Sequence, residues 1–399
     1  MSTLKVDAIR HNSATSDAIT TAADGTCTAK LTSVAGEQLS SRRININGGF
    51  QVFQRSTSAA SVGASGEGYF APDRYRQAGT GNMRYTASQS TDVPAGYGFS
   101  NSLKYDCTTA SGTVSAGHFV AIEHRLEGHD VQVFCKGTAQ AKQYTISFHV
   151  KSPKTGIHIV ELYDNDNDRH VSKSYTISSA NTWQKITLTF PGDTTGAFGN
   201  DNGASLRIFF WLMAGTSYTG STLPSAWTGF SSTARATGQV NVFDSTSNDF
   251  YITGIQLEVG DTATSFEHRS MSEELVRCQR YFAIFPGRSG GIPFWQGYMG
   301  SSNGYCSIPV PNFNFRAVPT PTDATTGTSS STGNIYDVYG NNHNSRYAGN
   351  GTVTLSCNGY APSGIGLIMD FGAHTTSTKE GVVASWNGAS PGIFLSCEL

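Results

Sequence analysis

The amino-acid sequence predicts an all-β protein, with a large antiparallel sandwich followed by a smaller C-terminal β-sandwich domain. Short segments of alternating apolar and polar residues recur between turn signals, which is the period of half-buried strands. Gly accounts for 44 of the 399 residues and charged residues for only 14%, against about 25% in an average soluble domain. Because no amphipathic helix separates the strands of the large block, an antiparallel sandwich is favoured over a parallel α/β fold.

The N-terminal segment, residues 1–43, consists of short β-prone pieces separated by Ser, Thr, Asp and Gly. Its apolar residues are too sparse to form a core of their own. We predict an extended segment that attaches to a partner or to copies of itself, and a flexible tail is the alternative. The expected anchor residues are Leu4, Val6, Ile9, Ile19, Leu31 and Val34.

The large sandwich is predicted over residues 44–271. Turn residues separate its strand candidates at the spacing of a sandwich or jelly roll. The candidates are Phe50–Phe53, Met83–Ala87, Ser102–Tyr105, Phe119–His124, Val131–Lys136, Tyr144–Lys151, Ile157–Tyr163, Ser174–Ile177, Gln184–Phe190, Leu206–Met213 and Asp249–Val259.

The last of these strands and one short helix connect the two blocks. Apolar residues in the strand change parity at Gly254, which predicts a β-bulge there. Ser270 and Glu273 have capping-box spacing and predict a linking helix over residues 272–285. A helix of about twelve residues is marginal alone, so its apolar seam must pack against something. The seam consists of Met271, Leu275, Cys278 and Phe282.

The C-terminal block, residues 286–399, has the size of one compact β-domain. Pro309, Pro311, Pro319 and Pro321 rule out a continuous central strand through that region. The predicted strands are a hairpin over Gln296–Val310, then Ile335–Tyr339, Thr352–Cys357, Ile365–Phe371, Gly381–Ser385 and Gly392–Cys397.

Composition excludes several classes of function. The net charge of −2 gives no basic field, so we expect no nucleic-acid partner. No run approaches the roughly 18–20 apolar residues of a membrane span, so we expect no membrane insertion. The first residues lack an apolar signal core, which predicts synthesis in a cytosol without export by that route. The seven cysteines are scattered without a C-x-x-C pair, which favours free and mostly buried thiols.

An acidic run resembles a calcium loop only superficially. Asp164, Asp166 and Asp168 alternate, but Arg169 and Tyr175 occupy the positions that an EF-hand gives to Gly and Glu. We therefore interpret this run as a solvated hairpin tip. The polar stretch around Glu123 and His124 is predicted to be an edge or loop without a metal, because adjacent strand residues point to opposite faces.

Glycoside cleavage would need two carboxylates on either side of a sugar bond. No candidate carboxylate lies in a recognisable catalytic motif, so we predict no enzymatic activity and assign no catalytic residue. The carboxylates considered are Glu67, Asp73, Glu123, Glu161, Glu258 and Glu267.

Several segments together resemble bacteriophage tail fibres and related virion proteins. In those proteins a carbohydrate-binding-module-like jelly roll ends at a junction where a C-terminal β-domain begins. The matching segments are, in chain order, INGGFQVFQR (46–55), APDRYR (71–76), GIQLEVG (254–260), TATSFEHRS (262–270), EELVRCQRYF (273–282), FRAVPTPT (315–322) and FLSCEL (394–399). The last segment departs from the family's small-residue-plus-AEL ending because Cys397 precedes Glu398 and Leu399.

The resemblance implies an assembled virion protein. It implies a jelly roll for the first block, docking of the N-terminal segment to tail or capsid proteins, and assembly in the host cytoplasm into a homotrimer. Three helix seams would then bury Leu275, Cys278 and Phe282 together, and the alternative is that the seam packs on its own jelly roll. Jelly rolls of this kind often hold one structural calcium, but no ligand set can be identified here, and no other cofactor is predicted.

The function implied by the resemblance is host recognition by a tail fibre through a cell-surface glycan. Aromatic rings beside Asn, Ser and Thr suit sugars, so the predicted glycan-binding residues are Trp295, Tyr298, Tyr336 and Tyr339. The alternative is that these rings lie in a core or subunit interface. A capsid-decorating or head fibre, or the glycan-binding module of a depolymerase, are the alternative functions.

Overall fold

A computed structural model describes the following parts of the backbone: residues 7–10, 19–21, 23, 27–29, 33–34, 37–38, 42–63, 66–286, 295–299, 303–309, 315–323, 330–331, 334–337, 353–360, 364–373, 381–385 and 392–399. Side-chain surroundings are described for residues 7–10, 19–21, 23, 42–63, 66–284, 315–321 and 395–399. Short N-terminal strands precede the large block, namely β1 (Ala8–Ile9), β2 (Ile19–Thr21), β3 (Cys27–Ala29), β4 (Ser33–Val34) and β5 (Glu37–Gln38).

The large block is a two-sheet antiparallel jelly roll. Its strands are β6 (Ser58–Val62), β7 (Tyr75–Ala78), β8 (Arg84–Ser90), β9 (Ser102–Thr109), β10 (Phe119–Glu127), β11 (Tyr144–Lys151), β12 (Gly156–Asp164), β13 (Arg169–Ile177), β14 (Gln184–Phe190), β15 (Ala204–Ala214), β16 (Thr228–Gly229) and β17 (Asp249–Val259). Sheet I has the order β16-β13-β12-β15-β10-β7, and sheet II has the order β14-β11-β17-β9-β8-β6. The connections contain helices α1 (Gly128–Val131) and α2 (Thr216–Thr219), and short 3₁₀ turns at Gln132–Phe134 and Ser232–Ala234.

The core lies between the two sheets because the inward-facing positions of their strands are apolar. Phe148 of sheet II meets Phe210 of sheet I edge to face, with ring centroids 5.2 Å apart. Their neighbours at the same parity are buried in the same cluster: Tyr144, Ile146 and Val150 from β11, and Leu206, Ile208 and Leu212 from β15. The residues of opposite parity therefore form the two outer faces, where a ligand could bind.

The linking region follows its sequence signals closely. Gly254 has φ +66°, and the β11–β17 register shifts between Ser147 and His149, which confirms the predicted bulge. The Ser270 hydroxyl accepts a hydrogen bond from the Glu273 amide at 3.2 Å and caps helix α3 (Met271–Gln279). This helix is shorter than predicted because Phe282 already begins a strand.

The C-terminal block contains two further antiparallel sheets. Its strands are β18 (Phe282–Pro286), β19 (Trp295–Met299), β20 (Asn303–Pro309), β21 (Thr320–Asp323), β22 (Ser330–Ser331), β23 (Asn334–Asp337), β24 (Val353–Tyr360), β25 (Gly364–Ala373), β26 (Gly381–Ser385) and β27 (Gly392–Ser396). One sheet has the order β18-β27-β21, with the proline-containing β21 at its edge, and the other has the order β22-β24-β25-β20-β19-β26-β23. The all-β class is therefore confirmed, whereas the domain boundaries stay predictions.

Two predicted strands are wrong. Over Phe50–Phe53 the chain turns instead, because the Asn47 side chain accepts hydrogen bonds from the amides of Gln51 and Val52, each at 3.0 Å. Over Val131–Lys136 a short helix and a 3₁₀ turn replace the strand, and they end at Cys135 with φ +50°. In both places a local turn replaces extended backbone.

Candidate functional site

Three of the four aromatic residues predicted to bind glycan, Trp295, Tyr298 and Tyr336, lie in the seven-stranded C-terminal sheet. In its register Trp295 pairs with Ala384, and Tyr336 pairs with Val383 one position along β26. Trp295 and Tyr336 are therefore on opposite faces of the sheet, and Tyr298 shares the face of Tyr336. Tyr339 lies outside the described residues. The role of all four residues in glycan binding stays a prediction.

Of the helix seam predicted to join three chains, Cys278 and Phe282 are buried within a single chain, Leu275 is half-buried and Met271 is 51% exposed. Cys278 is 0% and Phe282 1% exposed, and Leu275 packs with Cys278 in a cluster that also contains Tyr281 and Ile46. The Arg55 guanidinium lies 3.6 Å from the centroid of the Phe282 ring. This is the packing of the alternative, in which the seam contacts its own jelly roll. A trimer interface formed by these residues stays a prediction.

The sequence segments that resemble virion proteins meet at one junction, where they bind each other. The Gly48 carbonyl of the first segment accepts from the Ile255 amide at 2.9 Å. Asn45, directly before that segment, donates its side-chain amide to the Ile255 carbonyl and accepts from the Leu257 amide, both at 2.8 Å. Glu398 of the last segment pairs with Arg74 and, at 3.1 Å, with Arg55. These contacts join the start of the jelly roll, its last strand and the C-terminal residues of the chain. The residues that carry the resemblance therefore stabilise the fold at this junction.

The carboxylates considered for sugar cleavage are engaged by hydrogen bonds. Glu123 and Glu161 both pair with Phe209 in register, so the three residues form one row on the outer face of sheet I. Glu123 binds three arginines, Arg76, Arg125 and Arg207. Burial raises the pKa of Glu123, but these arginines outweigh burial and leave the pKa below its usual value. A general acid needs the opposite shift.

The remaining candidate carboxylates bind protein groups as well. Glu161 accepts from Trp211 Nε1 at 3.1 Å and pairs with Arg235 at 2.9 Å. Burial, opposed by Arg55 and Gln54, raises the pKa of Asp73 to about 7. The partners of the other three are Arg76 for Glu67, Thr264 for Glu258, and the amides of Arg42 and Arg43 for Glu267.

The acidic run at 164–168 is a hairpin tip, as predicted, since Asp164 pairs in register with Arg169. Asp164 itself is fully buried instead of solvated, and the ammonium of Lys136 lies 2.6 Å from its carboxylate. Among the described residues there is no group of three or more His, Cys, Asp or Glu side chains able to hold a metal. The four cysteines whose side chain is described are free thiols; Cys107, Cys278 and Cys397 are buried and Cys135 is half-buried.

An aromatic row crosses the outer face of sheet II and is accessible to solvent. Tyr251 of β17 pairs in register with Lys151 of β11 on one side and with Lys104 of β9 on the other. Trp183 extends the row, since it directly precedes Gln184, the partner of Val150 in β11. The Trp183 and Tyr251 rings are half-buried, with centroids 6.1 Å apart and planes at 65°. We call Tyr97, Trp183 and Tyr251 the aromatic face.

The loop between β8 and β9 adds Tyr97 to this face. Asp92 anchors the loop, because its carboxylate accepts from Trp183 Nε1 at 2.9 Å and pairs with Lys151. Burial alone would raise the pKa of Asp92, but hydrogen bonds from Lys151 and Trp183 lower it overall. Tyr97 is 50% exposed, and the His268 ring bonds its backbone carbonyl at 2.9 Å.

Beneath Tyr97 lies His149, whose ring centroid is 4.4 Å from that of Tyr97. His149 is only 4% exposed, and neither ring nitrogen hydrogen-bonds another described residue. Burial, assisted by the positive charge of Lys185, lowers the pKa of His149 to about 4. A neutral imidazole with unused donor and acceptor capacity therefore lies directly under an exposed ring.

Sequence reasoning missed this face because its members come from distant parts of the chain. One signal was present: Tyr251 lies between Phe250 and Ile252, so the alternation that buries those two residues places Tyr251 on the outer face. Trp183 and Tyr97 carried no comparable pattern, since both lie in loops. Their proximity follows from the sheet order and from the contact with Asp92.

No protein-family model matches the chain, and no curated protein is significantly similar to it. Among solved structures, the enzymatically active domain of tailspike protein 4 from bacteriophage CBA120 aligns at 15% identity and TM-score 0.29, over 54% of this chain and 21% of that domain. A family 11 carbohydrate-binding module of Clostridium thermocellum, in complex with a β-1,3-1,4-mixed-linked tetrasaccharide, aligns at 12% identity and TM-score 0.25. The alignment covers 53% of this chain and 99% of that module. The N-terminal cellulose-binding domain of Cellulomonas fimi β-1,4-glucanase C aligns at 13% identity and TM-score 0.23. The alignment covers 41% of this chain and 83% of that domain.

These similarities are distant, and the present chain covers about a fifth of the tailspike domain. The assignment of the jelly roll therefore depends on the strand order and register of the chain itself. Among the described residues no helix has the length and hydropathy of a membrane span.

Proposed function

We propose that the chain is a glycan-binding fibre protein of a tailed-bacteriophage virion, and that the aromatic face of the jelly roll contacts the sugar. The observation that carries the proposal is the set of accessible rings on the outer face of sheet II. Trp183 and Tyr251 are half-buried with Lys151 over both rings, and Tyr97 is 50% exposed above His149. Pyranose rings stack their C–H faces on aromatic side chains, while their hydroxyls bond nearby polar groups. The face combines both kinds of partner.

The charges beside the face favour an uncharged glycan. Lys151 is paired with Asp92, and Lys104 lies 3.3 Å from Asp249 and 3.4 Å from Asp106. The positive charges within the row are thus compensated, so hydroxyls and ring faces are the groups that the row recognises best. Exposed Lys185, which pairs in register with His149, has no ion-pair partner among the described residues.

The virion role is supported by the sequence resemblance and by the convergence of its segments at one junction. In this proposal residues 1–43 dock the tail, the protein is a homotrimer located in the virion, and the C-terminal block lies beyond the jelly roll. A head fibre would use the same domains at another docking site. Immunogold labelling of intact particles separates tail from capsid, and light scattering showing a stable monomer would remove the trimer.

The protein binds without cleaving in this proposal, because Glu123 and Glu161 are occupied by arginines. A glycan array probed with the full-length chain tests the binding, and product analysis of each bound glycan tests cleavage. We expect retention on one or a few uncharged bacterial polysaccharides without shortened products. Absence of binding to every bacterial polysaccharide on the array would contradict glycan recognition, and released oligosaccharides would identify a depolymerase instead.

A further inference from the structure

The ammonium group of Lys136 lies at the centre of four oxygen atoms inside the jelly roll. Nζ is 2.6 Å from Asp164 Oδ2 and 3.0 Å from Asp193 Oδ2. It also donates to the carbonyls of Thr195 at 2.8 Å and Gly196 at 2.7 Å. The side chains of Lys136 and Asp164 are 0% exposed and that of Asp193 is 5% exposed. We call these four oxygen atoms the oxygen cage.

The oxygen cage surrounds the positive charge of Lys136 with oxygen atoms on several sides. A lysine ammonium has three protons to donate, yet four oxygens lie within 3.0 Å of Nζ. The cage therefore surrounds a positive charge instead of only matching three directed hydrogen bonds. Two carboxylates with two backbone carbonyls are also the ligand types that calcium prefers, at about 2.3–2.6 Å.

Contacts independent of Lys136 hold the cage in shape. The Asp164 carboxylate accepts from the Asn167 side chain at 2.9 Å and from the Asn167 amide at 3.1 Å. The Asp193 carboxylate accepts from Arg169 Nε at 2.8 Å and from the Thr195 amide at 3.0 Å. Because these bonds fix both carboxylates from the outside, removal of the lysine leaves their oxygens directed at the same point.

We propose that the oxygen cage is a divalent-cation site in which the tethered ammonium of Lys136 replaces the free ion. The wild-type jelly roll then needs no metal, and Lys136→Ala converts the cage into a calcium site. The two carboxylates would carry two negative charges there, with Arg169 compensating one. Calcium suits the space better than magnesium, which needs shorter bonds of about 2.0–2.1 Å in near-octahedral geometry.

Thermal unfolding of the full-length chain with calcium chloride, magnesium chloride or EDTA tests the proposal. Lys136→Ala should unfold at a lower temperature than wild type in EDTA and recover by about 3 °C or more in millimolar calcium. Wild type should show no calcium shift. Lys136→Met is the matched control, because its neutral unbranched side chain fills the same space and leaves no room for an ion.

One further variant and one further readout distinguish calcium binding from a general effect on folding. Lys136→Ala combined with Asp193→Asn should lose the calcium shift, because one carboxylate ligand is gone. If Lys136→Ala is insoluble in EDTA, recovery of soluble protein by calcium supports the proposal. No calcium effect on Lys136→Ala in either readout, or an equal effect on Lys136→Met, overturns it. Neither result depends on glycan binding.

Discussion

Glu398 and Arg74 form an ion pair across 324 residues of sequence, with side chains 7% and 1% exposed. The Arg74 guanidinium also donates to the Arg125 carbonyl at 2.6 Å and lies 3.3 Å from the centroid of the Tyr281 ring. One buried cation thus connects the C-terminal residues, the turn between helix α3 and strand β18, and sheet I. The C-terminal residues 397–399 therefore contact the jelly roll as well as the sheet that contains β27.

Replacing Arg74 should destabilise the protein through this junction. Arg74→Met removes one partner of a buried pair, which costs about 3–5 kcal/mol. Urea unfolding monitored by circular dichroism measures the loss. Arg277→Met is the control, because its pair with Glu273 is 44% and 47% exposed and exposed pairs contribute about 0–1 kcal/mol. Equal stability of the two variants would mean that the Glu398–Arg74 pair does not hold the C-terminal residues.

Gly48 permits the close approach of the first segment to strand β17. A Cβ atom at this position would lie 2.0 Å from the Ile255 carbonyl oxygen, and the Gly48 carbonyl accepts from the Ile255 amide at 2.9 Å. Gly48→Ala should therefore lower the free energy of unfolding by about 3 kcal/mol through overpacking. Gly112→Ala, where a Cβ would meet no atom within 4 Å, should be nearly neutral in the same unfolding experiment. A neutral Gly48→Ala would remove the close approach as a constraint.

His149 should make the protein sensitive to acid. Burial lowers its folded-state pKa to about 4, whereas an unfolded histidine titrates near 6.5. The unfolded chain therefore binds more protons between these values, so this contribution to stability is complete above about pH 6.5 and is lost as the pH falls towards 4. His149→Phe should reduce the stability difference between pH 7 and pH 5 by about 2 kcal/mol.

Urea unfolding at the two pH values measures this difference. His158, whose pKa burial also lowers to about 4, remains in the variant, so some acid sensitivity should persist. An unchanged pH dependence in His149→Phe would show that folding does not lower the pKa of His149.

Truncation should separate attachment from folding. Arg42 and Arg43 bond Glu267 through their amides, at 2.8 Å for Arg43, and the Arg43 guanidinium pairs with Glu274. A chain starting at Ser41 keeps these contacts and should match the thermal stability of the full chain while failing to enter virions. A chain starting at Asn47 loses them and should be less stable. Normal incorporation of the Ser41 chain would remove the attachment role.

Much of the jelly roll could be predicted from alternation alone. The predicted bounds of Tyr144–Lys151, Gln184–Phe190 and Asp249–Val259 agree with the structure, because long strands with one buried face carry a clear period of two. The strand predicted over Phe50–Phe53 was wrong because hydrogen bonds to the Asn47 side chain determine the backbone conformation there. Alternation carries no information about such contacts.

The candidate site was less predictable because lateral neighbours in a sheet depend on strand order. Lys104, Lys151 and Tyr251 lie in one row, although about a hundred residues separate Lys151 from Tyr251. The composition indicated that aromatic side chains would be exposed, but it did not indicate which residues would lie next to them in the sheet. For the C-terminal residues Trp295 and Tyr336 the sequence alone provided no sheet register, and the structure pairs them with neighbouring positions of β26, Ala384 and Val383.

The affinity of the full-length chain for a glycan selected on the array, measured by biolayer interferometry for two double variants, tests the central claim most directly. The account predicts that Trp183→Ala with Tyr251→Ala weakens binding at least tenfold, equivalent to about 1.4 kcal/mol, while both variants keep the wild-type circular dichroism. Trp295→Ala with Tyr336→Ala should bind as wild type does. Unchanged binding by the first variant together with loss of binding by the second would contradict the account and place the sugar on the C-terminal block.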